Sequence, residues 1–398
     1  MNEFGSLNND FLSTENRSFF SQLADLVYAQ RPVHPLHILR PEILKKNASA
    51  FLSGFSGTVM YAVKSNPHPD VIHSLYEAGI RYFDAASIEE VRLVRRVAPS
   101  AHIHFMHTVK SREAIREAYF DHQVRVFVID TIDELHKIVH ETELANDLTI
   151  FVRLALPKNQ EANVDFSAKF GATPKGAAFL LHEARLVCSK LGIMFHPGTQ
   201  SSNPDVFFKG LGVVRDVLNR CSGITVDCLD VGGGFPAPYP QRIIPPLSTF
   251  FDVIERGIRE FELQNLELYC EPGRALVAEA GLLVCRVEQR KDKALYLNDG
   301  IYGGLVEAAK WQGALSFPVL HIAQDPSSPH TPEDTELSPF RFCGPTCDSL
   351  DMMKGPFYLP QQIGEGDWIV VGLTGAYSNA CRTDFNGFGQ HRFLSVDF

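Results

Sequence analysis

Five short stretches of this sequence carry residue types able to do covalent or proton chemistry. In the first, Lys64 follows an apolar run, residues 58–63, and precedes the turn Ser65-Asn66-Pro67. The run is rich in β-branched and aromatic residues and reads as a buried strand. Desolvation at such a strand end disfavours the ammonium form, and a desolvated amine suits Schiff-base chemistry with a carbonyl compound. A lysine that snorkels to solvent fits the same residues. The second is Phe195-His196-Pro197-Gly198-Thr199-Gln200, a histidine leaving an apolar strand into a tight turn, as a structural imidazole or one facing a ligand. The third, Asp230-Val231-Gly232-Gly233-Gly234-Phe235, exposes bare N–H groups that can wrap an anion such as phosphate. Glycine runs also make plain turns. In the fourth, Cys270-Glu271-Pro272-Gly273-Arg274, a carboxylate and a guanidinium stand three residues apart. They form either a structural ion pair or the two ends of one ligand site, an acceptor for a ring N–H and a clamp for a phosphate. The fifth is divided among residues 298–303, 343–351, 375–377 and 384–388.

These stretches need a scaffold that brings strand ends together. Strand-like apolar runs recur at 59–63, 82–84, 102–105, 125–129, 148–154, 192–196, 228–231 and 266–270. Helical patterns separate them, among them 69–77, 88–97, 111–119, 132–141, 175–190 and 204–220. Eight strands alternating with helices is the count for an α/β fold of the (β/α)₈ TIM-barrel type, whose sites lie at the strand ends. A doubly wound sheet lacks its GxGxxG here. Beyond residue 275, short strands at 281–288, 294–297, 368–372 and 392–396 are broken by Pro- and Gly-rich turns, which predicts an all-β domain. Residues 325–339 read as a surface loop. The expected division is an N-terminal arm and helix (1–35, helix 18–30) packing on the β domain, a barrel (36–275) and a C-terminal β domain (276–398).

Composition bounds the function. The 398 residues are 45% hydrophobic and 21% charged, as in a globular protein. A formal charge of −10 argues against a nucleic-acid surface. No run has the apolar length of a membrane span, and the polar first 16 residues lack a signal-peptide pattern. Eight cysteines without CxxC spacing imply neither a disulfide framework nor a metal site, and a reducing cytoplasm as compartment.

Together, in this order and on this architecture, the five stretches resemble the fold-type III pyridoxal-phosphate decarboxylases. This is the alanine-racemase-like barrel family that contains ornithine, lysine and diaminopimelate decarboxylases. The resemblance runs from about Leu36 to the C-terminus. Within it, Gly344-Pro345-Thr346-Cys347-Asp348-Ser349-Leu350-Asp351 is similar to the ornithine decarboxylase branch, whereas the diaminopimelate branch has Glu-Ser/Thr after that cysteine. The resemblance implies pyridoxal 5′-phosphate as cofactor, with Lys64 as the Schiff-base lysine. It implies His196 stacked on the pyridine ring and Glu271 bonded to the ring nitrogen. Gly232, Gly233, Gly234, Thr199, Gly273, Arg274 and Tyr377 would hold the phosphate, with Asp84 and Arg153 supporting. Thr199 stands where that branch has serine, and Pro197 beside it removes one backbone donor. Cys347 matches a thiol that reaches across a head-to-tail homodimer into the partner's site, and Asp348 the acid for the substrate's distal amine.

The chemistry expected is decarboxylation of a basic L-amino acid of ornithine or lysine type to a polyamine-type amine. Glu271 keeps the ring nitrogen cationic, and Cys347, with Lys64 as fallback, returns a proton to Cα. An arginine in place of Glu271 is the arrangement of the related racemases. One departure concerns the substrate. Where ornithine decarboxylases carry a second aspartate after Asp299-Gly300-Ile301-Tyr302-Gly303, this chain has Trp311, with Glu307 a helical turn earlier. A tryptophan face suits a bulkier or softer cation, by roughly 1 kcal/mol or more. The substrate-side candidates are therefore Tyr302, Glu307, Trp311 and Asp348. The alternative substrate is a larger cationic amino acid, S-adenosylmethionine included. A racemase and a catalytically dead regulatory homologue are the rival readings.

Overall fold

The central apolar runs become eight parallel strands that close on themselves. The computed structural model describes residues 17–156, 169–240, 243–309, 315–327 and 336–397. The barrel strands are β2 (Thr58–Ala62), β3 (Tyr82–Ala85), β4 (His102–Phe105), β5 (Val126–Ile129), β6 (Thr149–Leu154), β7 (Lys190–Phe195), β8 (Cys228–Asp230) and β9 (Glu267–Cys270). β9 returns to β2 through Thr58↔Tyr269 and Val59↔Cys270, which closes the ring. Intervening helices include α3 (Pro69–Glu77), α4 (Ile88–Val97), α5 (Arg112–Phe120), α6 (Ile132–Glu141), α7 (Pro174–Arg185), α8 (Asp205–Leu218) and α9 (Leu247–Glu260).

Local chemistry starts the helices where the barrel needs them. Ser87, Ser111, Thr131 and Thr173 each accept a hydrogen bond from a first-turn N–H of α4, α5, α6 and α7. Inside the barrel Met60, Met106, Val128, Phe151, Met194, Cys228 and Tyr269 form one cluster. Gly192 is required there, because a Cβ would lie 2.4 Å from the Phe151 ring.

The described residues divide into two compact units: those within 44–237 and 243–276, which contain the barrel, and those within 17–43, 238–240 and 277–397. The second contains an eight-stranded sheet of β1 (Leu36–Leu39), β10 (Gly281–Lys291), β11 (Ala294–Leu297), β12 (Val319–Ile322), β13 (Leu337–Cys343), β14 (Met352–Pro360), β15 (Trp368–Val371) and β16 (Arg392–Ser395). On it lies α1 (Arg17–Gln30), whose Leu23 and Val27 join Leu36, Ile38, Leu282, Trp368 and Val370 in a core.

Several expectations are corrected. Residues 36–39 belong to the sheet rather than the barrel, because β1 pairs antiparallel with β10 and parallel with β16. The helix expected at 175–190 ends at Arg185, and Lys190 already opens β7 opposite Thr149. The loop expected to run to residue 339 gives way to β13 at Leu337, which pairs with Pro360 of β14. Its residues 328–335 lie outside the described residues. Strand β2 stops at Ala62, and Val63–Ser65 form a 3₁₀ turn that carries Lys64. No helix among the described residues is long and apolar enough to cross a membrane.

Candidate active site

The ends of β2, β3, β6, β7, β8 and β9 assemble the barrel candidates. Lys64 Nζ lies 2.8 Å from Asp84 Oδ2 at the end of β3. The lysine side chain is 40% exposed and the aspartate 1% exposed. This corrects the expectation of a desolvated lysine, since the 3₁₀ turn lifts Lys64 off the strand and an ion pair orients its amine. Arg153, on β6, has its guanidinium 5.1 Å from the Phe170 ring and in the field of Glu271, Asp84, Asp130 and Asp230.

His196 follows β7. Burial, with Arg153 and Lys64 adding repulsion, holds its imidazole well below the ordinary histidine range, so it is neutral. The Gly198 N–H donates to His196 Nδ1 at 3.2 Å, which assigns the ring hydrogen to Nε2. The glycine loop after β8 lies against this turn. A Cβ on Gly233 would come within 2.6 Å of Glu271 O and 3.0 Å of His196 Nε2. Gly234, at φ +92°, leaves no room for a Cβ beside Gly198 O, at 2.3 Å, and lies close to Pro197. The Ser201 N–H donates to Gly234 O at 3.0 Å, and the Glu271 N–H to Gly232 O at 2.9 Å. Thr199 is partly buried in the same loop. Gln200, at φ +53°, exchanges two hydrogen bonds with the Ala237 backbone, at 2.6 and 3.0 Å.

Glu271 follows β9 and is 3% exposed; Oε1 finds no donor among the described residues. Burial first, then the negative charges of Asp230 and Asp84, push its carboxyl well above the usual range. A cationic group beside it would supply the missing donor and offset that charge. Gly273 keeps the backbone close to Ser65, and Arg274 is 5% exposed. A neutral flat imidazole, a bare-backbone loop, a buried acceptor and an amine on a barrel mouth fit pyridoxal phosphate. No cluster with metal-ligand chemistry occurs among the described residues.

The remaining candidates lie in the sheet unit. The Tyr302 hydroxyl donates to Asp348 Oδ2, and the Leu350 N–H donates to Oδ1 at 2.9 Å. These bonds, the tyrosine's first, hold Asp348 below the usual carboxylate range. Cys347 is exposed, and its N–H donates to Asn386 Oδ1 at 3.1 Å. The surrounding loops are tied together by Asp351, which accepts from Ile301 N–H at 2.9 Å, Thr346 N–H at 3.1 Å and Thr346 Oγ1 at 2.6 Å. Tyr302, Thr346, Asp351, Phe385 and Phe388 line a small hollow. Glu307 sits in a 3₁₀ turn and its carbonyl accepts from Leu315 N–H at 3.0 Å. Tyr377 has φ +60°. Trp311 lies outside the described residues.

Sequence reasoning gave no role to Asp230, Glu90 or Asp351. Asp230 was visible as the acid opening the triple-glycine stretch. Glu90 was visible only as the third residue after the cap Ser87, and burial now raises it to about 7 in the field of Asp84 and Lys64.

A closed parallel barrel with a lysine–carboxylate pair at its mouth and a glycine loop beside a neutral histidine defines the class of pyridoxal-phosphate barrels. Residues 42–278 match the family described as pyridoxal-dependent decarboxylase, pyridoxal binding domain, and the chain belongs to that family. Its cofactor is pyridoxal phosphate and its reaction class is amino-acid decarboxylation. The lysine/ornithine decarboxylase of Selenomonas ruminantium is 29% identical over 340 residues, covering 83% of this chain and 81% of its own. Antizyme inhibitor 2 of Xenopus laevis is 30% identical over 353 residues, covering 83% and 74%. The structure of the Vibrio vulnificus lysine/ornithine decarboxylase complexed with putrescine superposes with a TM-score of 0.79, at 28% identity, covering 94% of this chain and 98% of that one.

Proposed function

We propose that this protein decarboxylates a basic L-amino acid of ornithine or lysine type, releasing CO₂ and a diamine. The observation that carries the reaction is the buried, donor-poor Glu271 on a barrel whose mouth also carries the Lys64–Asp84 pair. When bound, pyridoxal phosphate supplies an aldehyde carbon for amines and a cationic ring that accepts the electrons left at Cα when CO₂ departs. Lys64 Nζ is the amine that holds the cofactor, and Asp84 orients it. Glu271 accepts from the ring nitrogen and keeps its proton in place, since a nearby anion favours the cationic form. His196 presents a neutral face to the ring. Gly232, Gly233, Gly234, Thr199, Gly273, Arg274 and Tyr377 hold the phosphate, with Arg153 in support. Cys347 Sγ returns a proton to Cα.

The substrate side rests on Asp348, whose carboxylate, aligned by Tyr302, suits a distal ammonium. Cys347 and Asp348 act in the site of a second copy, in a homodimer. Exposure of Cys347 beside exposed Leu350, Met352, Phe385 and Phe388 supports that reading. A second reading, a larger or softer cation such as S-adenosylmethionine, is favoured by Trp311 standing where a second acid is expected, with Glu307 the nearest carboxylate in sequence. A CO₂-release panel over ornithine, lysine, arginine, diaminopimelate and S-adenosylmethionine tests both. Turnover greatest on ornithine or lysine supports the first reading, and turnover confined to the sulfonium substrate replaces it.

A further inference from the structure

Asp230 has no part in the chemistry above, yet it ends β8 wholly buried at the barrel mouth. Its Oδ1 accepts from the Gly232 N–H at 2.7 Å, and Oδ2 finds no donor among the described residues. Glu271 is in the same condition at the end of the neighbouring strand, with Oε1 lacking a donor. The register Asp230↔Tyr269 sets Glu271 two residues beyond Tyr269, just past the end of β9, and the two carboxyls lie within hydrogen-bonding reach of each other. Two ionised carboxylates are acceptors only, so the one hydrogen that can lie between them is an acid proton. Away from water, two such neighbours cannot both stay ionised. Among the described residues, the carboxylate of Asp84 and the cationic groups of Lys64 and Arg153 act on them. Burial first, and repulsion within the cluster, raise both carboxyls.

We propose that Asp230 is a positioning residue for Glu271: the two carboxyls hold one proton between them, so that Glu271 meets the cofactor's ring nitrogen as an anion while the pair carries a single negative charge. The inference rests on the reading that Glu271 accepts from that nitrogen. The Gly232 N–H fixes Asp230 Oδ1 and leaves Oδ2 for the proton. Asp230 thereby tunes Glu271 without touching the cofactor.

The test uses protein loaded with pyridoxal phosphate labelled with ¹⁵N in the ring, at pH 7. The ¹⁵N chemical shift reports ring protonation, and the infrared carbonyl band of neutral carboxylic acids reports the shared proton. Asp230→Asn retains an oxygen for Gly232 and offers Glu271 an amide hydrogen instead of an acid proton. The expected result is loss of one neutral-carboxyl band in the difference between wild type and D230N, with the ring nitrogen protonated in both. Glu90 contributes equally to the two spectra and cancels. A role confined to holding Gly232 would leave the infrared difference flat, and that result overturns the proposal. Should D230N not fold, Glu271→Gln addresses the same pair: loss of the band supports the proposal, and its persistence overturns it. A wild-type ring nitrogen without a proton removes the underlying reading of Glu271, and this inference with it; a protonated ring with no band from the pair removes this inference alone.

Discussion

At the residue scale, the chemistry is divided between groups whose environment is built and one that stands open. Glu271 and Asp84 are held by burial, Asp84 also by its ion pair with Lys64, and His196 by the Gly198 N–H. Cys347 is exposed, with its backbone anchored by Asn386. A thiol that delivers a proton to one face of Cα decides where that proton lands. Cys347→Ala is expected to lower CO₂ release and to raise the share of transamination-type products, read by separating amine from carbonyl product. Unchanged partitioning would remove Cys347 from the mechanism. Lys64, Glu271 and the glycines were legible in the sequence because strand ends are legible. The Asp230–Glu271 pair was not, since the two residues are far apart in the chain and meet only because β8 and β9 are parallel neighbours.

At the element scale, the barrel was readable because apolar runs and helical periods alternate along the sequence. The sheet was less readable. Four-residue β1 takes its partners from β10 and β16, hundreds of residues away, and no local pattern encodes that pairing. The 3₁₀ turn at Val63–Ser65 also escaped the reading of residues 58–63 as one strand, and with it the exposure of Lys64. Helix α4 carries a testable electrostatic cost. Glu90 Oε2 accepts from the Ala86 N–H at 2.7 Å, and burial raises its carboxyl from 4.5 to about 7. Within that window the folded chain keeps a proton that the unfolded chain has shed, so this group's contribution to stability falls as pH rises from 4.5 to 7. Glu90→Gln, which keeps an oxygen for Ala86, is expected to stabilise the protein at pH 8 by on the order of 2 kcal/mol and to gain nothing at pH 4. Denaturant titrations at the two pH values check this, and an equal effect at both contradicts it.

At the scale of the whole molecule, the two units carry different parts of the proposed site. The barrel unit holds the cofactor candidates, and the sheet unit holds Cys347, Asp348 and Tyr302. Leu350 at 62% exposure, Met352 at 47%, Phe388 at 46% and Phe385 at 42% flank that cysteine, an apolar surface that a second copy would cover. If each site draws its lysine from one subunit and its thiol from the other, a mixed dimer of Lys64→Ala and Cys347→Ala contains one site with both groups intact. Mixing the two impaired variants under subunit exchange is expected to raise CO₂ release above the sum of the two measured apart. Sites built within a single subunit would leave the mixture at that sum.

The predictions about the reaction depend on Lys64 carrying the cofactor. The direct measurement is borohydride reduction of protein reconstituted with pyridoxal phosphate, followed by peptide mass mapping. The account predicts the reduced cofactor fixed on Lys64, with labelling abolished in Lys64→Ala. Fixation at another lysine, or none, would contradict it.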